Sequence, residues 1–198
     1  MTSNVYTLSK LGEDEQNIPA EAERVARYND LDEKSVLRLR LLSEELICML
    51  PRLLIYGEGK FWIENNGKDY ELHLTVDSKG NLDYDTEKVL GISKSGKNAA
   101  AKGIVSRISV MIENMMKNRA RMLRDDPYGV MSKGLSDYSE DMVWTLNEYR
   151  SNFEHEDVQS AYKEEWDELE RSIIANLADD VIVGIKKGII SIVVKKKF

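Results

Sequence analysis

The residue whose surroundings best suit chemistry is Glu45, which lies in the segment 39–46, LRLLSEEL. Leucines recur there every three or four residues, which predicts an amphipathic helix with Glu45 at the edge of the apolar stripe and Glu44 pointing away. A carboxylate at such an edge suits a general base that orients water. The alternative is structural: a partly exposed acid paired with Arg38 or Arg52 on the same side of the helix.

Two further stretches combine glycines with polar residues. Asp77 and Gly80 follow an alternating, strand-like segment, and residues 95–103, SGKNAAAKG, open a predicted helix. That helix start contains Gly96, Lys97, Asn98 and Gly103. Free N–H groups at a helix start, with a lysine beside them, can hold a phosphate. An Asp/Gly turn and close helix packing would explain the same residues without a ligand.

Other catalytic patterns are incomplete. Residues 91–98, GISKSGKN, have the spacing of a P-loop, but an Asn replaces the Ser or Thr that binds magnesium, and the preceding residues are too charged for a buried strand. His73 and His155 are the only histidines and have no partner at metal-ligand spacing, so His73 is interpreted as a strand-face residue. Cys48, the only cysteine, excludes an intramolecular disulfide. The sequence therefore predicts no metal site.

The elements that must position these residues are a sheet and a layer of helices. Strands are predicted over residues 5–8, 61–64, 70–76, 181–185 and 189–194, with hairpin turns at 65–67 and 187–188. Helices are predicted over 20–28, 32–50, 98–116, 142–153 and 162–177, with Pro51 kinking or ending the second one. Residues 77–97 form a polar flap or loop between strand and helix. This order predicts an α/β (α+β) fold, a two-layer sandwich of one mixed or antiparallel sheet covered by helices.

The composition of the chain limits which classes of protein it can belong to. The 198 residues are 42% hydrophobic, which is enough to bury one sizeable core, so we expect a single domain over residues 1–198. No run of about eighteen apolar residues occurs, and the first ten residues lack a secretory pattern, which predicts a cytoplasmic protein with no membrane span. The net charge of −7 argues against a general nucleic-acid binder, because phosphate contacts need a surplus of lysine and arginine.

Charge is unevenly distributed along the chain. Twelve acidic residues lie between positions 137 and 170 against two basic ones, while the last thirteen residues contain five lysines. The acidic stretch is interpreted as a solvated helix face, and a protein partner that docks on these acidic helices is the alternative. The terminal lysines are interpreted as a basic strand edge that discourages aggregation. The sequence leaves open whether the chain forms a homodimer.

The order of elements over residues 19–116 resembles the Bergerat-fold ATPase superfamily of gyrases and sensor histidine kinases. It is most similar to the small bacterial anti-sigma-factor serine kinases: a helix, a long helix with LLSEEL, a hairpin ending in LTVD, a polar flap and a Gly/Ala-rich helix start. The resemblance implies an ATPase-like core over residues 1–118 and a helical and β-hairpin extension over 119–198.

The resemblance also implies roles for single residues. Glu45 would be the catalytic glutamate, while Met49 occupies the position four residues later where the family has an Asn that holds magnesium. Asp77 would recognise adenine, and the glycines at 80, 96 and 103 with Lys97 and Asn98 would approach the nucleotide. Because a thioether is a weak ligand for a hard cation, magnesium use is doubtful.

Two functions follow from these expectations. The first is a regulator that binds ATP or ADP and is catalytically weak or inactive; an active form would be a protein serine kinase or an ATPase. The alternative is a non-enzymatic protein-interaction module on a degenerate ATPase scaffold. The pocket beside the long helix distinguishes them, since it is either open or filled by side chains such as those of Cys48 and Met49.

Overall fold

A computed structural model gives the secondary structure of the chain. It describes residues 1–9, 15–53, 57–78, 108, 110–112, 114–116, 142–152, 163, 167, 172–186 and 188–198. The strands are β1 Tyr6–Leu8, β2 Glu58–Asn66, β3 Asp69–Asp77, β4 Met142–Thr145, β5 Asp180–Lys186 and β6 Ile189–Lys197. The helices are α1 Ile18–Tyr28, α2 Glu33–Leu53, α3 Leu146–Ser151 and α4 Ile173–Leu177, and a short 3-10 helix at Glu15–Asn17 precedes α1.

The six strands form one sheet in the order β1-β2-β3-β6-β5-β4, and every pairing between them is antiparallel. The predicted fold class, a sheet covered by helices, is confirmed. The predicted position of the C-terminal lysines is wrong, because β6 lies between β3 and β5 rather than at an edge. Its lysines form ion pairs with residues of both neighbouring segments. Lys195 pairs with Glu71 and Lys197 with Asp69 on β3, and Lys196 pairs with Asp179 just before β5.

Alternation along the strands gives the sheet an inner and an outer face. On the central strands, the side chains of the inner face are buried: Tyr70, Leu72, Leu74, Val76, Val181, Val183, Ile190, Ile192 and Val194. The apolar stripe predicted for α2 is buried against them as expected, at Val36, Leu39, Leu42, Leu46 and Leu50. Burial of these side chains is the main source of stability for a two-layer arrangement of this kind.

The end of α2 and the β2–β3 turn differ slightly from the prediction. The helix continues through Pro51 to Leu53, so the proline lies in its last turn and does not end the helix, although its missing N–H removes one hydrogen bond of the helical series. The turn between β2 and β3 is the pair Gly67 and Lys68, because Asn66 pairs directly with Asp69. Gly67 has a φ of +59°, which fits the first central position of a type II′ hairpin turn.

The N-terminal edge of the sheet contains a bulge. The N–H of Ser3 donates to the carbonyl of Ile63 at 2.8 Å, whereas Tyr6 pairs with Phe61. The edge segment therefore advances three residues, from Ser3 to Tyr6, while β2 advances two, from Ile63 to Phe61. The edge segment thus contains one extra residue. The bulge directs the backbone N–H of Asn4 away from β2 and toward α1.

A buried carboxylate of α1 receives that N–H. Glu21, only 4% exposed, accepts hydrogen bonds from Asn4 N–H at 3.3 Å, from the Tyr6 hydroxyl at 3.1 Å and from Arg24 Nε at 2.8 Å. A second nitrogen of Arg24 donates to the other carboxylate oxygen. The hydrogen bonds from Arg24, more than any other contact, hold the pKa of Glu21 below its ordinary value although burial opposes them. The network fastens the edge strand to the helical layer.

The C-terminal half differs most from the predictions. Met142, which was expected in a helix, begins strand β4. Helix α3 starts only after Thr145, whose hydroxyl oxygen caps it by accepting from the N–H of Glu148 at 3.1 Å. Ser172 is extended and caps α4, so the helix predicted over 162–177 does not run unbroken through that residue. The alternation of Val143 and Trp144 was too short to be distinguished from helical spacing.

Several predicted features fall outside the described residues. These are most of the flap after Asp77, the start of the helix at 98 and most of the acidic stretch at 137–170. Within the predicted helix 98–116, the described residues are helical, and Ile108, Ile112, Met115 and Met116 are buried. Among the described helices, none is long and apolar enough to cross a membrane.

Candidate functional site

Glu45 lies on α2 and is half-buried, as its place at the edge of the apolar stripe predicted. Burial raises the pKa of its carboxyl, because removal from water disfavours the charged form. No hydrogen bond or ion pair to Glu45 comes from the described side chains, so the expected pairing with Arg38 is not formed, and the side chain of Arg52 lies outside the described residues. Its neighbour Glu44 points to solvent and pairs with Arg40 at 2.7 Å.

Met49, one turn after Glu45, is fully buried, with 0% of its surface exposed. It belongs to the same hydrophobic core as Leu46, Leu50 and Leu53. Cys48 follows Glu45 by three residues and is exposed at the surface. The part of its side chain that is covered, and then the charge of Glu45, raise the pKa of its thiol. The position at which the resemblance expects a magnesium ligand is therefore occupied by hydrocarbon and sulfur packed against the sheet.

Asp77 ends β3 and is exposed. The residues of β3 that face the helices are the even-numbered ones, so Asp77 lies on the outer face together with His73 and Thr75. The residue at this end that shares the inner face with α2 is Ser78, which is buried. The structure thus places Glu45 and Asp77 on opposite sides of the sheet.

Ser78 fastens the end of β3 to the turn between β5 and β6. Its backbone N–H donates to the carbonyl of Gly188 at 2.8 Å, and its hydroxyl donates to the same oxygen at 2.5 Å. Gly57, the residue before β2, lies against the carbonyl of Asp77 on the other side. Three chain segments are therefore in close contact where the flap begins.

The remaining predicted site residues, Gly80, Gly96, Lys97, Asn98 and Gly103, lie outside the described residues. Their roles in holding a nucleotide stay predictions. In the part of the chain that the structure describes, no group of three or more His, Cys, Asp or Glu side chains could hold a metal ion.

No protein-family model, curated protein or solved structure matches this chain. A half-buried carboxyl with a raised pKa can exchange a proton. The thiol of Cys48 lies near Glu45, but its pKa is raised, which favours the protonated and less nucleophilic form.

A second cluster of ionisable groups lies on the outer face, where sequence reasoning had not grouped them. Trp62 of β2 is directly opposite His73 of β3, and their rings are stacked at 4.7 Å with an interplanar angle of 3°. Glu71 precedes His73 on the same face and pairs in register with Lys195 of β6. The prediction of His73 as a strand-face residue is confirmed, and alternation with the hairpin register could have identified its contact with Trp62.

Proposed function

We propose that this chain is a regulatory protein that acts by binding and not by phosphoryl transfer, on a scaffold that resembles that of the anti-sigma-factor kinases. The observation that carries the proposal is the complete burial of Met49 in the core beneath α2. A phosphoryl-transfer site of that family type needs a magnesium ligand one turn after the glutamate, and a packed thioether cannot serve as one.

The position of Asp77 supports the same proposal. A carboxylate on the outer face cannot contact a ligand held between α2 and the inner face, because the sheet itself lies between them. The order of a helix, a long helix and a hairpin over α1, α2, β2 and β3 nevertheless supports the resemblance. A scaffold that keeps its order of elements while losing its metal ligand fits a protein that works through contacts with a protein partner in the cytoplasm.

The acidic stretch at 137–170 is the candidate docking segment for that partner. It carries twelve acids against two basic residues, so a basic surface would complement it. A second copy of the chain is the other candidate partner. Sedimentation of the purified protein over a range of concentrations separates the two, because only a homodimer changes its mass on dilution.

A second function, binding of ATP or ADP without magnesium, is favoured by Glu45 itself. A half-buried carboxyl with no partner among the described residues resides in an environment that disfavours its charge. A bound ligand that donates a hydrogen bond to this carboxyl would relieve that cost. The proposed contact is on the side of α2 that carries Glu45 and Cys48.

A titration with ATP and ADP, with and without magnesium and followed by thermal unfolding, tests both functions. Binding without metal is expected to raise the melting temperature equally in both buffers, since a ligand stabilises only the state that it binds. Glu45→Gln should reduce the shift, and Glu44→Gln, which changes an exposed neighbour, should not. No shift at millimolar nucleotide would eliminate the nucleotide hypothesis and leave the binding module.

A turnover assay tests the absence of phosphoryl transfer. The purified chain is expected to release no phosphate from ATP above the level of its Glu45→Gln variant. Magnesium-dependent hydrolysis or transfer that Glu45→Gln abolishes would overturn the proposal, because it would require a metal site that Met49 does not provide.

A further inference from the structure

Four side chains on the outer face connect three strands. His73 of β3 is stacked on Trp62 of β2, and its Nε2 lies 3.3 Å from Oε2 of Glu71. The other oxygen of Glu71 lies 3.3 Å from Nζ of Lys195 on β6. The carboxylate of Glu71 therefore stands between an imidazole and an ammonium group.

His73 is the member of this cluster whose contacts are incomplete. Its side chain is only 15% exposed, and Nε2 is buried without a hydrogen bond even though Glu71 is near. Burial, helped by the charge of Lys195, holds the pKa of His73 below the ordinary 6.5, while Glu64 and Glu71 oppose that effect. At neutral pH the ring is uncharged, so the charged partner of Glu71 in this cluster is Lys195.

We propose that His73, Glu71 and Lys195 form a proton-responsive switch on the outer face of the sheet. When the imidazole takes up a proton from solvent, Nε2 becomes a charged donor to Oε2 of Glu71. The carboxylate then turns from Lys195 toward His73. The outer face gains one positive charge beside Trp62, and the ammonium group of Lys195 is freed for solvent or for a partner.

The direction of the switch follows from the groups that surround the ring. From the described strands, the charged groups that face His73 are Glu64 of β2, Glu71 of β3 and Lys195 of β6. A charge-assisted hydrogen bond to Glu71 and a cation–π contact with Trp62 stabilise the protonated ring, whereas its partial burial disfavours it. The ordinary pKa of histidine is close enough to mildly acidic pH for such a balance to decide the charge of the ring.

The test is a pH titration of the intact chain that follows the His73 ring by NMR and the emission of Trp62 by fluorescence. The His73 midpoint is expected below 6.5. Glu71→Gln should lower the midpoint by roughly one unit, and Lys195→Gln should raise it. Both substitutions change side chains at the surface, so the fold should be retained.

Fluorescence gives an independent measurement of the same event. Trp62 emission should fall as the stacked ring becomes charged, and this response should disappear in His73→Gln and Trp62→Phe but persist in His155→Gln. A midpoint at or above 6.5, a midpoint that Glu71→Gln fails to lower, or an emission change that survives His73→Gln would overturn the proposal.

Discussion

Gly57 faces the backbone carbonyl of Asp77 so closely that a Cβ at residue 57 would lie 1.8 Å from the carbonyl oxygen. A contact that short cannot form, and the obstacle is backbone in a paired strand instead of a movable side chain. We expect Gly57→Ala to lower the free energy of unfolding by roughly 2 kcal/mol or more, measured by urea denaturation.

Gly67→Ala is the matched control for that substitution. Residue 67 has open space around its Cα but a φ of +59°, so an alanine there costs only about 1 kcal/mol of backbone strain. A loss at Gly57 no larger than the loss at Gly67 would contradict the close approach of β2 to the end of β3.

Glu21→Gln should be strongly destabilising, because Glu21 accepts hydrogen bonds from Asn4, Tyr6 and Arg24 in a buried position. An amide can accept at only one of its two ends, so at least one donor is left unpaired. The expected loss is roughly 2–4 kcal/mol at pH 7, measured by chemical denaturation.

The stability lost in Glu21→Gln should also depend on pH, because folding lowers the pKa of Glu21. Since the pKa of Glu21 is lowered on folding, its contribution is present above the ordinary value of 4.5 and is lost as the pH falls through the folded value. The difference between wild type and Glu21→Gln should therefore shrink in acid. Glu33→Gln, which removes an exposed pair with Arg27, should leave stability unchanged within error.

Glu45 should show the opposite pH dependence. Its pKa is raised on folding, so the folded chain holds the proton more tightly, and stability falls as the pH rises from 4.5 through the folded value. Glu45→Gln lacks this component, which predicts a variant that gains stability relative to wild type as the pH increases. Denaturation curves between pH 4.5 and 8 measure it, with Glu44→Gln as the control. A variant less stable than wild type at pH 7 would show that Glu45 has a stabilising partner.

Arg150 connects α3 to the end of α4 by donating to the carbonyls of Ala175, Ala178 and Asp179. No further helical turn supplies N–H donors to these carbonyls. The forked guanidinium donates to several of them at once. Arg150→Lys keeps the charge but loses the fork, and we expect a loss of roughly 1–3 kcal/mol in thermal or chemical unfolding. Arg40→Lys, at an exposed pair, should have little effect, and an equal loss at both positions would contradict the capping role.

The alternation and spacing of residues within single elements predicted part of the candidate site. They also imply the outer-face position of Asp77, which the assignment of Asp77 to the site overlooked. The burial of alternate residues at Tyr70, Leu72, Leu74 and Val76 was predicted, and the same alternation already places Asp77 on the opposite face. The spacing of α2 likewise predicted both the half-buried position of Glu45 and an inward orientation for Leu42 and Leu46. Met49 could have been assigned to the core on that basis.

The sequence by itself determined the helices α1 and α2, the two long hairpins and the face that each element buries. Those features depend on side chains a few residues apart, whose apolar period is the same in any tertiary context. Only the tertiary structure decided that β6 enters the sheet beside β3, which brings Lys195 to Glu71 across more than a hundred residues. The pairing of distant strands depends on which of several compatible edges buries the most apolar surface in the complete fold, and no local pattern encodes that choice.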